Sequence, residues 1–233
     1  MDVTAIVFDK DGTLFDYRTT WNAWAGAVLA RLSGGDQHKL LALSRCVDYD
    51  LSAGAVLPGS VIVAGTPMEI ADAMMPALPD QSVEAVYALL NREAAVAPQA
   101  EAAPLRDLLS ALRGRGIKLG VATNDAEMPA LAHLRTAGVV DLFDFVAGSD
   151  SGYGAKPEPG QLLGFCKAVG AEPRNTLMVG DSLHDLMAGR SAGMRTIGVL
   201  TGLATDRDLS GIATAVLPHI GHLPEWLDGE PSG

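Results

Sequence analysis

Short apolar runs, each stopped by a glycine or aspartate turn, constrain this chain most. They occupy residues 4–8, 118–122, 145–147, 176–179 and 196–199, with a weaker one at 215–217. The runs are rich in β-branched residues and nearly continuous in hydrophobicity rather than alternating. A strand of that kind is buried on both faces, which implies a parallel sheet. Helical patterns fall between them. Residues 105–113 carry apolar side chains at 105, 108, 109 and 112, and similar stretches cover 127–136, 159–169 and 183–192. The last follows Ser182, a favourable N-cap. Strand–helix alternation of this length predicts an α/β fold with a doubly wound parallel sheet.

Residues 16–98 break the alternation. They predict helices at 20–32, 37–46, 68–75 and 83–95, and the one strand-like run among them is Val61-Ile62-Val63. A mostly helical block inserted at the carboxyl end of the first strand overhangs the place where open α/β sheets bind ligands. The expected organisation is therefore a core from residues 1–15 and 99–233 and a helical cap from 16–98. Pro98 and Pro104 bracket the return, and the tail after Glu225 is expected to fray.

Seventeen basic against 28 acidic residues give a net charge of −11, which argues against nucleic acid as a partner. The apolar stretch 55–65 is too short to span a bilayer and is interrupted by Pro58. With no basic leader-like segment at the start, the expectation is a cytoplasmic protein without membrane contact. Two cysteines, Cys46 and Cys166, exclude a disulfide framework and a four-thiolate zinc site. An anionic small substrate remains compatible with −11 only if its charge is met locally.

Four motifs fall at the ends of expected strands. Asp9-Lys10-Asp11-Gly12-Thr13 offers two carboxylates to one pocket, one suited to attack and one to proton transfer; an ordinary Asp-Gly turn is the competing reading. Thr123-Asn124-Asp125 precedes a helix and suits either an anion site or simple capping. Lys156, in Lys156-Pro157-Glu158-Pro159, is a cation on a stiffened loop, or a solvated loop lysine. Gly180-Asp181-Ser182-Leu183-His184-Asp185 brings two carboxylates to a strand end and a first helical turn. Hard oxygen donors so placed suit Mg²⁺ better than mere helix-start acidity.

Taken in order, DxDGT, a strand-end threonine, Lys-Pro and GDxxxD resemble the haloacid dehalogenase (HAD) superfamily, in its phosphoglycolate phosphatase-like branch with a helical cap. The resemblance covers essentially the whole chain. It implies a Rossmann-like core and a phosphoric monoester hydrolase acting on a small phosphorylated metabolite, such as phosphoglycolate or a sugar phosphate. It implies that Asp9 is the nucleophile that becomes an aspartyl-phosphate, and that Asp11 protonates the leaving oxygen and then activates water. Thr123 binds the phosphoryl group with Asn124 beside it, Lys156 offsets charge, and Gly12 and Thr13 position the loop against substrate. Mg²⁺ falls to Asp9, Asp181 and the main chain of Asp11, with Asp185 in support.

Asp11 separates chemistries within that resemblance, because dehalogenases and phosphonatases of the family lack it. A sugar-phosphate mutase uses the same aspartates and stays an alternative, as does a non-catalytic phosphate-binding regulator on the same fold. The sequence departs from the branch after Leu14, where Phe15-Asp16-Tyr17-Arg18 stands in place of the usual Asp-Ser. Arg18 is assigned to a substrate carboxylate or second phosphate, or else to a solvated hinge. Trp21 and Trp24 read as cap packing rather than a stacking surface. His184 is not expected to bind Mg²⁺, which prefers oxygen. The remaining histidines read as structural. Nothing in the sequence decides between a monomer and a homodimer.

Overall fold

The computed structural model describes residues 3–229. Strand β1 (Ala5–Phe8) leads into helices α1 (Tyr17–Ser33) and α2 (Gln37–Cys46), a small antiparallel pair β2 (Tyr49–Asp50) and β3 (Ala55–Val56), and helices α3 (Val61–Ala64), α4 (Pro67–Met74) and α5 (Val83–Ala95). Helix α6 (Leu105–Gly114) opens the regular alternation: β4 (Lys118–Ala122), α7 (Glu127–Thr136), β5 (Phe145–Ala147), α8 (Gly160–Val169), β6 (Thr176–Gly180), α9 (Leu183–Ser191), β7 (Arg195–Val199), α10 (Asp206–Leu209), β8 (Ala215–Leu217) and α11 (Leu223–Gly229).

The six long-range strands form one parallel sheet in the order β5-β4-β1-β6-β7-β8. The expected α/β, doubly wound sheet is thus present. Its double burial follows from the pleat, since successive side chains point to opposite faces. Ile6 and Phe8 of β1 join Leu119, Val121, Leu177 and Val179 in one core, whereas Ala5 and Val7 face Phe165, Met178 and Ala188 in another. β1 is flanked by β4 on one side and β6 on the other, so the strand order reverses at β1. The crevice at its carboxyl end is where such sheets bind ligands.

The inserted block has its own core. Trp21, Trp24, Val28 and Leu29 of α1 pack with Leu43, Ile70, Met74, Val86 and Leu90. Asp16 caps α1 by accepting from the Thr19 N–H at 2.7 Å. The outgoing and returning connections run side by side: Asp16 N–H donates to Ala100 O, and Ala102 N–H to Leu14 O.

Two local expectations are corrected. Val61-Ile62-Val63 is helix α3, not a strand: Ser60 caps it by accepting from Ile62 N–H, and Gly65 N–H closes it onto Val61 O. A lone run has no neighbouring strand to satisfy its backbone there, so it coils instead. The tail beyond Glu225 is helical to Gly229, with Trp226 and Leu227 on the main core and Arg115 paired to Asp228 at 2.8 Å; residues 230–233 lie outside the described residues. Among the described residues, no helix is long and apolar enough to cross a membrane.

Candidate active site

Asp9 directly follows β1, Thr123 follows β4 and Asp181 follows β6. Three adjacent strands therefore deliver their motif residues to one place. Together they floor a cavity of about 460 Å³ whose opposite wall comes from the inserted block. Lys156 reaches in from the loop before α8, and Asp185 from the first turn of α9.

Lys156 binds two carboxylates at once, Asp9 at 2.5 Å and Asp185 at 2.6 Å, with all three side chains buried. Burial works against its charge, but Asp185 and Asp9 outweigh that and hold the ammonium above the ordinary lysine value. Burial pushes Asp9 the other way, up to about 7, with Lys156 pulling down and Asp185 and Asp11 pushing up. Asp181 is raised as well, first by burial and then by Asp9 and Asp185. The Asp185 carboxylate also completes a reciprocal cap with Ser182, which fixes its rotamer.

Asp9, Asp181 and Asp185 each present an oxygen within 4.8 Å of the others. Three buried carboxylates against one ammonium leave excess negative charge, and all donors are hard oxygens, so the residues fit Mg²⁺. The backbone crowds Asp181 into position. Gly12 has φ +83°, a left-handed conformation, and a Cβ there would stand 2.5 Å from the Asp181 carboxylate; a Cβ on Gly202 would collide with the same group.

The other site expectations sort unevenly. Thr123 is buried and accepts from Asp125 N–H at 3.1 Å, leaving its hydroxyl proton for a ligand. Asn124 lines the cavity, but its side chain is already engaged: it donates to Ala64 O and Lys156 O and accepts from Lys156 N–H. It ties the floor to the inserted block rather than offering its amide to a phosphoryl group. Thr13 is buried behind the loop and is not part of the cavity lining. Arg18 is exposed on α1 and the structure does not bring it to the cavity either. The Asp11 carboxylate stands apart from the three-carboxylate group and belongs to a different cluster. His184 is exposed at the cavity wall.

That second cluster centres on Lys10, which the sequence reading passed over. Fully buried, its ammonium lies 2.7 Å from Asp11, 3.2 Å from Asp125 and 2.9 Å from His133 Nδ1, with the Trp21 ring at 5.7 Å. His133 Nε2 contacts Ala94 O at 2.7 Å. A carbonyl only accepts, so Nε2 carries the proton and Nδ1 meets the ammonium with its lone pair. Burial and then the Lys10 charge lower this imidazole to about 4. Burial raises Asp125 to about 6 against the pull of Lys10. Asp9 and Asp11 thus sit two residues apart in different electrostatic surroundings. The available signal was a lysine set against a fully buried strand end, a place where an unpaired charge is not tolerated.

Residues 3–193 match the family model for haloacid dehalogenase-like hydrolases. The IndB protein of Dickeya dadantii (strain 3937), named as a phosphatase, is 33% identical over 220 residues, covering 91% of this chain and 87% of its own. A phosphoglycolate phosphatase of Nitrosospira multiformis is 38% identical over 117 residues, 50% of this chain. That alignment spans about half the relative's length, 52%. In fold, the crystal structure of a HAD phosphatase from Thermococcus onnurineus superposes with a TM-score of 0.67 at 23% identity over 100% of both chains.

Proposed function

The chain belongs to the haloacid dehalogenase-like hydrolases, and from that premise we propose that it is a Mg²⁺-dependent phosphatase cleaving a small phosphate monoester through an aspartyl-phosphate on Asp9. One observation carries the reading. Asp9, Thr123 and Asp181 end three adjacent strands and meet Lys156 and Asp185 in one cavity, so a buried carboxylate, a hydroxyl, an ammonium and two further carboxylates converge there. Phosphoryl transfer needs a nucleophile, a hydrogen-bond donor and positive charge gathered in that way.

In this reading the Asp9 carboxylate attacks phosphorus and the ester P–O bond breaks. Asp11 gives its proton to the departing alkoxide, then takes one from the water that cleaves the aspartyl-phosphate, releasing inorganic phosphate and restoring Asp9. Thr123 donates its hydroxyl to a phosphoryl oxygen. Lys156 shares its charge between Asp9 and the phosphoryl group and restrains the nucleophile. Asp9, Asp181 and Asp185 would hold Mg²⁺, with the Asp11 main chain as a further donor, and the ion supplies positive charge against the phosphoryl oxygens. Residues 16–98 serve as the cap, closing over the floor to exclude water.

Hydrolysis of p-nitrophenyl phosphate, with and without Mg²⁺, by wild type and Asp9→Asn tests this. Metal-dependent turnover lost in the variant supports it. Turnover that survives either EDTA or the substitution overturns the metal or the nucleophile assignment respectively.

A further inference from the structure

The cavity wall opposite the carboxylates is apolar. Trp21, Trp24, Ile62, Val63, Ile70 and Leu90 supply much of it, all from the inserted block. Trp21 and Trp24 meet edge to face at 4.9 Å, which makes that part of the wall rigid.

The charge on the lining is as telling as the hydrophobicity. Lys156 is the one lysine or arginine among the lining residues, and it is already shared between Asp9 and Asp185. Asp208 adds a further carboxylate at the far side. A second anionic group on a substrate, whether carboxylate or phosphate, would be desolvated there with no free lysine or arginine to receive it.

Several polar groups around the cavity are spent as well. Trp24 Nε1 donates to Leu90 O at 3.1 Å, Ser60 Oγ is engaged with Val47 O and Ile62 N–H, and the Asn124 amide is consumed at both ends. A polyhydroxylated sugar would leave most of its hydroxyls unpaired. The polar atoms of this lining without a partner include the Tyr17 hydroxyl, the Trp21 N–H and the Asn91 amide oxygen. These suit a group with few hydrogen-bonding atoms.

We propose that the leaving group of the substrate is neutral and mainly apolar, an aromatic or branched aliphatic alcohol seated against Trp21, Trp24 and Ile62. The substrate class is then an apolar alkyl phosphate, distinct from phosphoglycolate and from sugar phosphates. This rests on the phosphatase reading above and narrows it.

The test compares kcat/KM for three phosphates of primary alcohols, so that leaving-group chemistry differs little: 2-phenylethyl phosphate, phosphoglycolate and glycerol 3-phosphate, with p-nitrophenyl phosphate as the activity standard. The expected result is a preference of about 100-fold for 2-phenylethyl phosphate over the other two, the scale set by burying one aromatic group. A preference for phosphoglycolate or glycerol 3-phosphate, with p-nitrophenyl phosphate still turned over, overturns the inference and leaves the phosphatase reading standing. Hydrolysis of none of the four defeats both. Val63→Arg supplies the missing cation in the half-buried part of the wall. It should shift the phenylethyl-to-glycolate ratio by at least about tenfold toward glycolate; a ratio that does not move counts against the inference.

Discussion

The two walls of the cavity are made of different materials. The floor, from the ends of β1, β4 and β6, is crowded with carboxylates, among which Asp9 and Asp185 share the buried Lys156 and Asp11 and Asp125 share the buried Lys10. The facing wall, from α1, α3, α4 and α5, is indole and branched aliphatic side chains with few polar groups, of which Trp24 and Ser60 bond the block's own backbone. Phosphoryl transfer is largely an electrostatic problem, so its machinery belongs on the rigid sheet. Discrimination between esters is a matter of shape and desolvation, and in the proposed reading it falls to the inserted block.

That division predicts opposite kinetic signatures. The largest effect is expected on the floor: Asp9→Asn should lower kcat by about 10⁴-fold or more, measured in single turnover to exclude product release. Asp11→Asn should cost about 10²–10⁴-fold with alkyl phosphates and far less with p-nitrophenyl phosphate, whose leaving group needs no proton. Equal losses on both esters would remove the acid from Asp11. Beneath the floor, Lys10→Met strands the buried Asp125 carboxylate and the partly buried Asp11. Urea denaturation should show a loss of about 3–5 kcal/mol, against about 0.5 kcal/mol or less for a surface change. On the wall, Ile62→Ala should raise KM for 2-phenylethyl phosphate about tenfold and change kcat less than threefold. A wall variant that lowers kcat alone would dissolve the comparison.

The smallest effect concerns His133. Its folded-state value of about 4 lies below the ordinary 6.5, so between those limits the unfolded chain binds more protons. Its contribution to stability is complete above about pH 6.5 and is lost as the pH falls toward 4. Asp9 and Asp125, raised in the fold, contribute with the opposite slope. The clean observable is therefore the difference between wild type and His133→Gln: wild-type Tm should fall relative to the variant on going from pH 7 to pH 4.5. Parallel Tm profiles would mean that His133 binds its proton equally well in the folded and the unfolded chain.

Much of the floor was readable in the sequence because its residues terminate continuous apolar runs. Asp9 and Asp181 follow stretches that only a buried strand explains, and parallel strands bring their carboxyl ends together without further information. Lys10 was not readable. It occupies the apparently free place in the motif, and its partners Asp125 and His133 come from the segment after β4, more than 100 residues away. Asn124 and Thr13 were less legible: motif position suggested contact with substrate, whereas the Asn124 amide is bonded to Ala64 and Lys156 and Thr13 is buried outside the cavity lining. Within the block, β2 and β3 are two residues each, too short for any periodicity to register. Val61-Ile62-Val63 has strand-like composition but sits between Ser60 and Gly65, whose capping decides for a turn of helix. The wall's function was the least legible of all. Trp21 and Trp24 belong to the packing of α1, as their spacing suggests, and they also face the cavity, a second role that spacing alone does not encode.

The paired connections at residues 14–16 and 100–102 have a consequence for how such a chain can diversify. The block leaves the sheet and returns to it at neighbouring points, already joined by backbone hydrogen bonds. What lies between is a detour, and strand register on either side does not depend on its length. One helical insert can be exchanged for another, or trimmed to a loop, while β1, β4 and β6 keep their alignment. The reaction and its clientele are therefore free to be inherited separately.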